Sequence, residues 1–375
     1  MALSGGWGNW RRNSGTEPTN RRRSDGFFIP KPNGKQRPLG IPTIRDRVVQ
    51  TAAGLVLAPI FEADLQPEQY AYRAGCSALD AVRHVHGLVN RGHGEVVDAD
   101  LSDYFNTIPH SQLMRSVARR ISDRHILRLI RLWLVVPVKE DDGRGGVRRT
   151  THNKDACCGI PQGAPISPLL SNLYMRRLVL GWKALGYERR LQARVVNYAD
   201  DLVICCRSGR AAEALQALQR IVHQLRLSLN EDKTHIRKLP EESFDFLGYT
   251  IGRCYRPQTG SAYVGTRPSR KSQQRVCRTI SELTSCRWLP MEAEKLVERL
   301  NRLRVGWSNY FKLGPVTKSY RAIEMHTCKR LRRWLCKKHK QSGKGIARFP
   351  DEYLYQSLGL VRMQTLQHGF PWAKA

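Results

Sequence analysis

Two adjacent carboxylates, Asp200 and Asp201, stand between two apolar segments, Val195–Tyr198 and Leu202–Cys206. Short segments rich in β-branched residues predict two buried strands, and the tight connection between them would place both aspartates at the tip of a hairpin. Adjacent carboxylates in an apolar frame repel each other and are costly to desolvate unless a cation is bound. An Asx turn at a hairpin tip is the alternative interpretation, and the pair alone supports both equally.

A third carboxylate, Asp100, ends the apolar segment that begins at Val96. If this strand lies beside the hairpin, three carboxylates from distant parts of the chain meet, which is the oxygen-rich arrangement that two Mg²⁺ ions need. Such a pair of ions would activate a hydroxyl and stabilise the charge on a transferring phosphoryl group. Asp98 and Asp103 lie close by in sequence and are the competing candidates.

The composition indicates a folded protein with an anionic partner. The chain has 375 residues, with 63 Lys plus Arg, 32 Asp plus Glu and a net charge of +31. Nucleic-acid phosphate is the usual partner of such a charge excess, and a membrane surface or solubility alone are the alternatives. No stretch of eighteen apolar residues and no secretory signal is present. The ten cysteines lack a C-x-x-C framework, which favours reduced thiols in a cytoplasmic protein.

The pattern along the chain predicts three segments. Residues 1–26 are a basic arm without apolar periodicity, which predicts disorder. Residues 27–252 alternate strand and helix patterns, beginning with an Asn-Gly hairpin within Phe27–Ile41. Residues 253–375 are predominantly helical and hold roughly 26 Lys plus Arg against roughly 7 Asp plus Glu.

The helical segment combines an apolar face with a cationic one. Leu296, Leu300, Leu303, Trp307 and Phe311 recur at helical spacing and predict a face packed on a core. Lys329–Lys340 mixes three apolar residues with many cations. A solvated face is the alternative, but the density of charge favours RNA contact. The predicted contacts are Arg304, Trp307, Lys329, Arg330, Arg332, Arg333, Lys337 and Lys338.

Several motifs in this order resemble those of reverse transcriptases. Asp100–Phe105 resembles their motif A, Gly159–Asn172 their motif B, and Tyr198–Asp201 their Y-x-D-D motif C. More narrowly, the chain resembles the group II intron reverse transcriptases, or maturases, of bacteria, in the motifs Arg37–Thr43, Gly159–Gly163, Phe246–Tyr249 and Gly306–Phe311. The resemblance runs from about Phe27 to Leu360.

This resemblance implies an α+β fold of the right-hand polymerase type. Fingers and an RRM-like antiparallel palm occupy 27–252, and an α-helical thumb or maturase domain follows at 253–375. The implied activity is RNA-directed DNA polymerisation with two Mg²⁺ ions, for which Mn²⁺ can substitute. The metal ligands would be Asp100, Asp200, Asp201 and the carbonyl of Leu101. The implied partners are intron RNA as template, a DNA primer or target, and dNTPs, with no membrane.

The resemblance also assigns roles around the metal site. Lys31 and Arg37 would grip the incoming triphosphate, and Phe105 would exclude a 2′-hydroxyl. Gln162 would touch the nascent base pair, and Lys233 would protonate the leaving pyrophosphate. Four of these five residues have a structural alternative: a solvated hairpin for Lys31 and Arg37, core packing for Phe105 and an ordinary surface position for Lys233.

The chain departs from the family pattern before Lys31 and after the thumb. Family members usually carry some tens of further residues before the hairpin, and an H-N-H endonuclease segment is not found. We therefore expect a shortened N-terminus and no endonuclease domain. Two functions stay open: a polymerase that assists splicing and retrohoming of its intron, and an RNA-binding splicing maturase with weak or lost polymerase activity. A polymerase adapted to cellular defence or repair is a third interpretation.

Overall fold

A computed structural model describes residues 24–30, 36–141, 147–150, 152–256 and 258–366. The chain divides into two compact units. The first comprises Met1–Tyr72, Leu101–Gly181 and Ile221–Ser228, and the second comprises Arg73–Asp100, Trp182–Arg220 and Leu229–Ala375. In the described part of the chain, none of the helices has the length and apolar character needed to cross a bilayer. None of the ten cysteines, all of which lie in the described residues, forms a disulfide in the structure.

The elements alternate between strand and helix over the first two hundred residues. They are β1 (Ser24–Pro30), β2 (Gln36–Pro42), α1 (Ile44–Glu62), α2 (Ala78–Asn90), β3 (Glu95–Asp100), α3 (Tyr104–Thr107), α4 (His110–Val117), α5 (Arg124–Leu134), β4 (Val138–Asp141), β5 (Val147–Thr150), α6 (His152–Asp155), α7 (Ser167–Ala184) and α8 (Tyr187–Arg190). These are followed by β6 (Ala193–Tyr198), β7 (Asp201–Cys206), α9 (Ala211–Gln224), β8 (His235–Lys238), β9 (Phe244–Phe246), β10 (Tyr249–Tyr255), β11 (Ala262–Pro268), α10 (Arg270–Leu283), α11 (Ala293–Tyr310) and α12 (Thr317–Lys338).

The first unit contains a four-stranded sheet in the order β2-β1-β4-β5. Strands β1 and β2 form the antiparallel hairpin predicted from the Asn-Gly signal, with Phe27 opposite Leu39. Helix α1 begins after Thr43, whose hydroxyl accepts a hydrogen bond from the Asp46 amide and caps the helix. Helices α4 and α5 are separated by a break between Val117 and Arg124.

The second unit is built on an antiparallel sheet in the order β6-β7-β3-β8. Val96 and Val97 of β3 and Leu202–Cys206 of β7 are buried, and because neighbouring residues of a strand point to opposite faces, both faces of the sheet are covered at its centre. Helix α2 packs against β6 and β7. The start of α2 is fixed by a capping box, in which Ser77 and Asp80 each accept a hydrogen bond from the other's backbone amide.

The C-terminal part of the second unit is helical, as predicted. A three-stranded sheet in the order β11-β10-β9 comes first, and α10, α11 and α12 then enclose an apolar core. Leu296 and Leu300 of α11 are fully buried in this core, as are Leu331 and Trp334 of α12. The helical spacing read from the sequence therefore locates the buried faces of both helices. These helices and the antiparallel sheets together confirm the predicted α+β architecture.

Candidate active site

The register of the central sheet brings the predicted carboxylates together. Asp100, the last residue of β3, is the cross-strand partner of Asp201, the first residue of β7. Asp200 lies in the two-residue turn between β6 and β7, next to Ala199, whose φ is +57°. The interpretation of this segment as a strand–turn–strand with both aspartates at the tip is confirmed.

A buried amide holds this turn. The Asn197 side chain is fully buried, and its Nδ2 donates to the carbonyl oxygens of Ala199 at 2.8 Å and Asp201 at 3.2 Å. Ala199 adopts a left-handed conformation that is unfavourable for a residue with a Cβ, so the turn needs such support. Asn197 therefore positions Asp200 and Asp201, a role that motif reading did not assign to it.

Asp201 stands in a strongly negative environment. The residue is exposed to solvent, yet many protein atoms surround its carboxyl group. This desolvation, followed by the charges of Asp200, Asp100 and Asp98, raises the pKa of Asp201 to about 7. A carboxyl that holds its proton near neutral pH is a group whose charge requires compensation by a cation.

Two side chains that follow α9 contact the Asp100 carboxylate. Lys233 Nζ lies 2.8 Å from Asp100 Oδ2, and Asn230 Nδ2 lies 3.3 Å from the same oxygen. The Asn230 backbone amide also donates to the Asp100 carbonyl oxygen at 2.8 Å. Side-chain and backbone bonds thus fix both the strand end and its carboxylate. Sequence reading proposed Lys233 but missed Asn230, although Asn230 precedes it in the same Leu229–Thr234 motif.

The donor chemistry of this cluster suits a divalent cation. Three carboxylates converge, and carboxylate oxygens are the preferred ligands of Mg²⁺. The side chains of the described residues nevertheless include no group of three or more His, Cys, Asp or Glu that is closed around a metal position. One Asp100 oxygen is bound instead by Lys233, whose single charge leaves the cluster negative. The excess negative charge and the raised pKa of Asp201 are the observations that fit a metal here.

Asp98 lies two residues before Asp100 and therefore shares its face of β3. Desolvation, opposed by the charge of Arg237, raises its pKa to about 6. Its nearby charges also include Asp245 of β9 and Lys271 of α10. Asp98 therefore adds negative charge beside the cluster without standing at a strand end.

The nucleotide-binding candidates Phe105 and Gln162 belong to the first unit. Phe105 is half-buried, and its ring packs edge-on against Tyr104 at 5.6 Å between centroids. The Gln162 carbonyl accepts from the Gly40 amide at 2.8 Å, and its side chain lies 3.5 Å from Asn106 Oδ1. Leu101, the predicted carbonyl ligand, is a buried residue of the same unit.

Two glycines in the loop before α7 have a positive φ, a backbone conformation that other residues rarely adopt. Gly159 has a φ of +92°, and a Cβ there would meet Asn153 Oδ1 at 2.9 Å and the Asn106 carbonyl at 3.0 Å. Gly163 has a φ of +103° and lies against the Gly40 carbonyl. Ser167 begins α7, and its hydroxyl donates to the Pro161 carbonyl at 2.7 Å, which ties the loop to the start of the helix.

The predicted triphosphate-binding pair is only partly described. Arg37 lies on β2, opposite Ile29 of β1, and its side chain is outside the described residues. Lys31 also lies outside the described residues. Both roles therefore stay predictions.

Two of the predicted RNA-binding residues, Arg304 and Trp307, lie against the core of the second unit. Arg304 is 1% exposed, and its guanidinium faces Glu324 at 3.7 Å. The prediction that Arg304 contacts RNA is therefore wrong, because its helix position turns it into the core of the unit. Trp307 is also partly buried against that core, where it stacks on Phe311 at 4.5 Å.

Some of the cationic side chains of α12 form hydrogen bonds to other parts of the chain, and others are exposed to solvent. Arg330 donates to Thr284 Oγ1 and the Ser281 carbonyl, at the end of α10. Arg332 binds the Phe349 carbonyl and Asp351, and Lys338 binds the Leu289 and Met291 carbonyls. These three side chains hold the domain together. The exposed members of the predicted set are Lys329, Arg333 and Lys337, and of these Lys337 also donates to Cys286 Sγ at 3.1 Å.

Tyr310 links the last motif to the carboxylate cluster. Its hydroxyl donates to the Leu247 carbonyl at 2.8 Å, and its own carbonyl accepts from Tyr249 Oη at 2.5 Å. Burial, and then the nearby Tyr198 and Asp201, raise the pKa of Tyr310 to about 12. The segments Phe246–Tyr249 and Gly306–Phe311 therefore pack against each other, close to the Tyr198–Asp201 turn.

Comparison with known families agrees with this geometry. Residues 29–251 match the family described as "Reverse transcriptase (RNA-dependent DNA polymerase)", and residues 273–349 match "Group II intron, maturase-specific domain". Because the first match spans more than half of the chain, the chain belongs to the reverse transcriptase family. It combines this domain with a group II intron maturase domain, as the motifs predicted.

Individual relatives support the same assignment. The chain is 34% identical over 280 residues to the protein YkfC of Escherichia coli (strain K12), covering 66% of this chain and 71% of YkfC. It is 27% identical over 214 residues to the group II intron-encoded protein LtrA of Lactococcus lactis subsp. cremoris. That match covers 56% of this chain and 32% of LtrA, so the chain spans about a third of this relative.

A solved structure shows that the fold extends over nearly the whole chain. Telomerase from Candida albicans, in complex with a fragment of telomeric RNA, superimposes with a TM-score of 0.50. The match has 12% identity and covers 93% of this chain and 64% of the telomerase chain. At this identity the likeness concerns the fold alone, and it confirms the predicted right-hand polymerase architecture.

Proposed function

We propose that this protein is an RNA-directed DNA polymerase that uses two Mg²⁺ ions to add dNTPs to a primer 3′ end on an RNA template. The observation that carries this proposal is the register pairing of Asp100 with Asp201, beside a turn that presents Asp200. Membership of the reverse transcriptase family supplies the reaction class. We further propose that the protein works on a group II intron and assists its splicing and retrohoming.

In this proposal the three aspartates hold the metal ions, and Leu101 adds its carbonyl. When bound, the ions would supply Lewis-acid activation of the primer hydroxyl and neutralise the charge of the transferring phosphoryl group. Asn230 keeps the Asp100 carboxylate and its strand end in place through two hydrogen bonds. Lys233, which is 60% exposed in its ion pair with Asp100, can turn toward the leaving pyrophosphate and donate a proton to it.

The other assigned residues would select the nucleotide. The Phe105 ring would lie under the sugar and exclude a 2′-hydroxyl, and Gln162 would contact the nascent base pair. The backbone bond from Gly40 to the Gln162 carbonyl supports this placement, because it fixes the loop on strand β2. Lys31 and Arg37 would bind the triphosphate through charge-assisted hydrogen bonds.

The test is extension of a DNA primer annealed to an RNA template, with purified full-length protein, dNTPs and Mg²⁺. We expect incorporation that requires the divalent cation and is restored by Mn²⁺. Phe105→Val should raise the incorporation of ribonucleotides relative to deoxynucleotides. No incorporation by well-folded protein on any RNA template, with either metal, would contradict the polymerase proposal.

A specific observation favours a second function, RNA folding as a splicing maturase. The maturase-specific domain match covers α10, α11 and α12, and α12 presents exposed cations at Lys329, Arg333 and Lys337. If this is the main activity, splicing of a cognate intron RNA survives Asp100→Ala and is lost on neutralising the three cations. Loss of splicing in the Asp100→Ala variant would argue against it. We also propose a bacterial cytoplasmic location for the protein under either function.

A further inference from the structure

Two adjacent cysteines, Cys157 and Cys158, stand directly before the loop Gly159–Gly163. Cys157 is exposed and Cys158 is half-buried, so a small molecule in solvent can reach both thiols. The polymerase reaction proposed above uses neither of them. We call these two residues the cysteine pair.

A second pair of adjacent cysteines, Cys205 and Cys206, differs in access and in geometry. Both are fully buried on strand β7, where neighbouring side chains point to opposite faces of the sheet. Cys157 has instead a φ of +50°, at the turn that follows helix α6. The cysteine pair therefore departs from the extended backbone that keeps neighbouring thiols apart.

Hydrogen bonds join the cysteine pair to the start of helix α4. The His110 amide donates to the Cys157 carbonyl at 3.0 Å, and the Gly159 amide donates to the Ile108 carbonyl at 2.9 Å. His110 Nε2 also lies 2.7 Å from the Gly159 carbonyl oxygen. The backbone on both sides of the pair is thus fixed to the segment between α3 and α4.

The same segment carries Phe105. The Ile160 amide donates to the Phe105 carbonyl at 2.6 Å. Gly159 between them has no room to shift, because a Cβ there would meet the Asn106 carbonyl at 3.0 Å. A change in the backbone of the cysteine pair must therefore reach Phe105 and the Gly159–Gly163 loop.

We propose that the cysteine pair is a modification site for small-molecule disulfides, which convert it to an intramolecular disulfide and displace the Gly159–Gly163 loop. The Cys157 thiolate attacks one sulfur of the small disulfide, forms a mixed disulfide and releases the first small thiol. The Cys158 thiolate then attacks the Cys157 sulfur, closes the ring and releases the second small thiol. Two electrons pass from the cysteines to the small disulfide, and the two cysteine protons end on the released thiols.

The surroundings of the two thiols set the order of attack and make the reaction reversible. Burial, and then the charge of Cys157, raise the pKa of the Cys158 thiol, so Cys158 is a poor first nucleophile. The two Cα atoms are about 3.8 Å apart across a trans peptide, closer than the about 4.4 to 6.8 Å of relaxed disulfides. Ring closure therefore needs backbone movement, and the strained disulfide is readily reduced again.

The consequence for activity rests on the proposed polymerase function, in which Phe105 and Gln162 select the nucleotide. Displacement of a positioning group by about 1 Å can lower a rate by about 10². We expect the oxidised protein to incorporate dNTPs about 10²-fold more slowly than the reduced protein, with full recovery on reduction.

The first test treats reduced full-length protein with glutathione disulfide, alkylates the remaining thiols after denaturation and digests the protein with trypsin. Cleavage releases the cysteine pair in peptide 155–176 and the Cys205–Cys206 control in peptide 195–207, each without a further cysteine. Peptide 155–176 should escape alkylation and weigh two hydrogen atoms less than its reduced form, and dithiothreitol should reverse this. Peptide 195–207 should be fully alkylated.

Variants identify the sulfurs that react. Cys158→Ser should stop at the mixed disulfide with glutathione, and Cys157→Ser should lose the reaction in peptide 155–176. Cys286→Ser, which removes another exposed thiol, is the matched control and should leave ring closure unchanged. A wild-type peptide 155–176 that stays fully alkylated, or that keeps glutathione without closing the ring, would overturn the proposal.

Hydrogen exchange of protein without primer or dNTPs separates this inference from the polymerase proposal. Ring closure should speed exchange at the amides of His110, Gly159 and Ile160, because it loosens their hydrogen bonds. Reduced protein that incorporates no dNTP would contradict the polymerase proposal alone. Ring closure that leaves either the exchange of these amides or the incorporation rate of an active protein unchanged would overturn the inference drawn from the cysteine pair.

Discussion

The ammonium group of Lys233 lies 2.8 Å from the Asp100 carboxylate, across a sequence separation of 133 residues. This ion pair joins the end of strand β3 to the segment after α9, at the edge of the sheet where Asp201 begins β7. A lysine at this point has two uses in the proposed reaction. It would balance part of the negative charge of the cluster, and it would be free to donate a proton if Asp100 held a metal ion.

Replacement of Lys233 should separate stability from activity. The Lys233 side chain is 60% exposed, and pairs of this kind contribute at most about 1 kcal/mol to folding. Lys233→Gln should therefore leave the melting temperature nearly unchanged. Loss of a general acid typically lowers a rate by about 10² to 10⁴. We expect a fall of that size in single-turnover primer extension, and an unchanged rate would remove the general-acid role.

Asn230 should act through Asp100 rather than on the substrate. Its amide orients the Asp100 carboxylate, and loss of such a supporting bond typically costs about 10- to 100-fold in metal affinity. Asn230→Ala should raise the Mg²⁺ concentration needed for half-maximal extension, with a smaller change in the rate at saturating Mg²⁺. Manganese binding measured by electron paramagnetic resonance should weaken in parallel. Glu231→Gln, an exposed neighbour, is the matched control, and equal effects in both variants would contradict this role.

The raised pKa of Asp201 predicts a pH dependence. An unfolded aspartate titrates near about 3.9, so between that pH and about 7 the folded chain retains a proton that the unfolded chain has lost. Stability contributed by Asp201 is therefore highest at low pH and declines as pH rises toward 7. Asp201→Asn should flatten the profile of melting temperature between pH 5 and 8 in metal-free buffer. Mg²⁺, which favours the ionised carboxylate, should stabilise wild-type protein more at pH 8 than at pH 6.

The exposed cations of α12 should govern RNA affinity. Each phosphate contact removed lowers the slope of log Kd against log salt by about 0.7 to 0.9. The triple variant Lys329→Gln/Arg333→Gln/Lys337→Gln should weaken RNA binding and reduce this slope by about 2 to 3. Arg330→Gln should instead lower the melting temperature, because Arg330 binds the end of α10 through Thr284 and Ser281. A triple variant with the wild-type salt slope would exclude α12 as the RNA-binding face.

The elements predicted best from the sequence are those in which the spacing of apolar residues matches the burial of those residues in the fold. The Val195–Cys206 hairpin, the face of α11 at Leu296 and Leu300, and strand β3 were all predictable because their apolar period matches their burial. That Asp100 and Asp201 meet was expected from the resemblance, but their cross-strand pairing was not predicted, since no local pattern sets the register between strands a hundred residues apart.

Other features depended on contacts that a linear pattern does not contain. Arg304 looked like a surface cation within a basic segment, yet its helix phase directs it to Glu324 in the core. Arg330, Arg332 and Lys338 bind backbone carbonyls at helix ends that only the folded domain brings near. The exposure of Ile44, Val48 and Val56 on α1 was also not foreseen, because their apolar spacing is the same as that of a buried face.

The central claim is that Asp100, Asp200 and Asp201 carry the chemistry, and single-turnover dNTP incorporation on a primed RNA template tests it most directly. We predict that Asp200→Asn lowers the rate by at least about 10³, the scale of losing one charge-stabilising group at a reacting centre. The same change at the exposed Asp103, three residues beyond Asp100, should leave the rate nearly unchanged. Incorporation by the Asp200→Asn protein at the wild-type rate, with metal still required, would contradict the account.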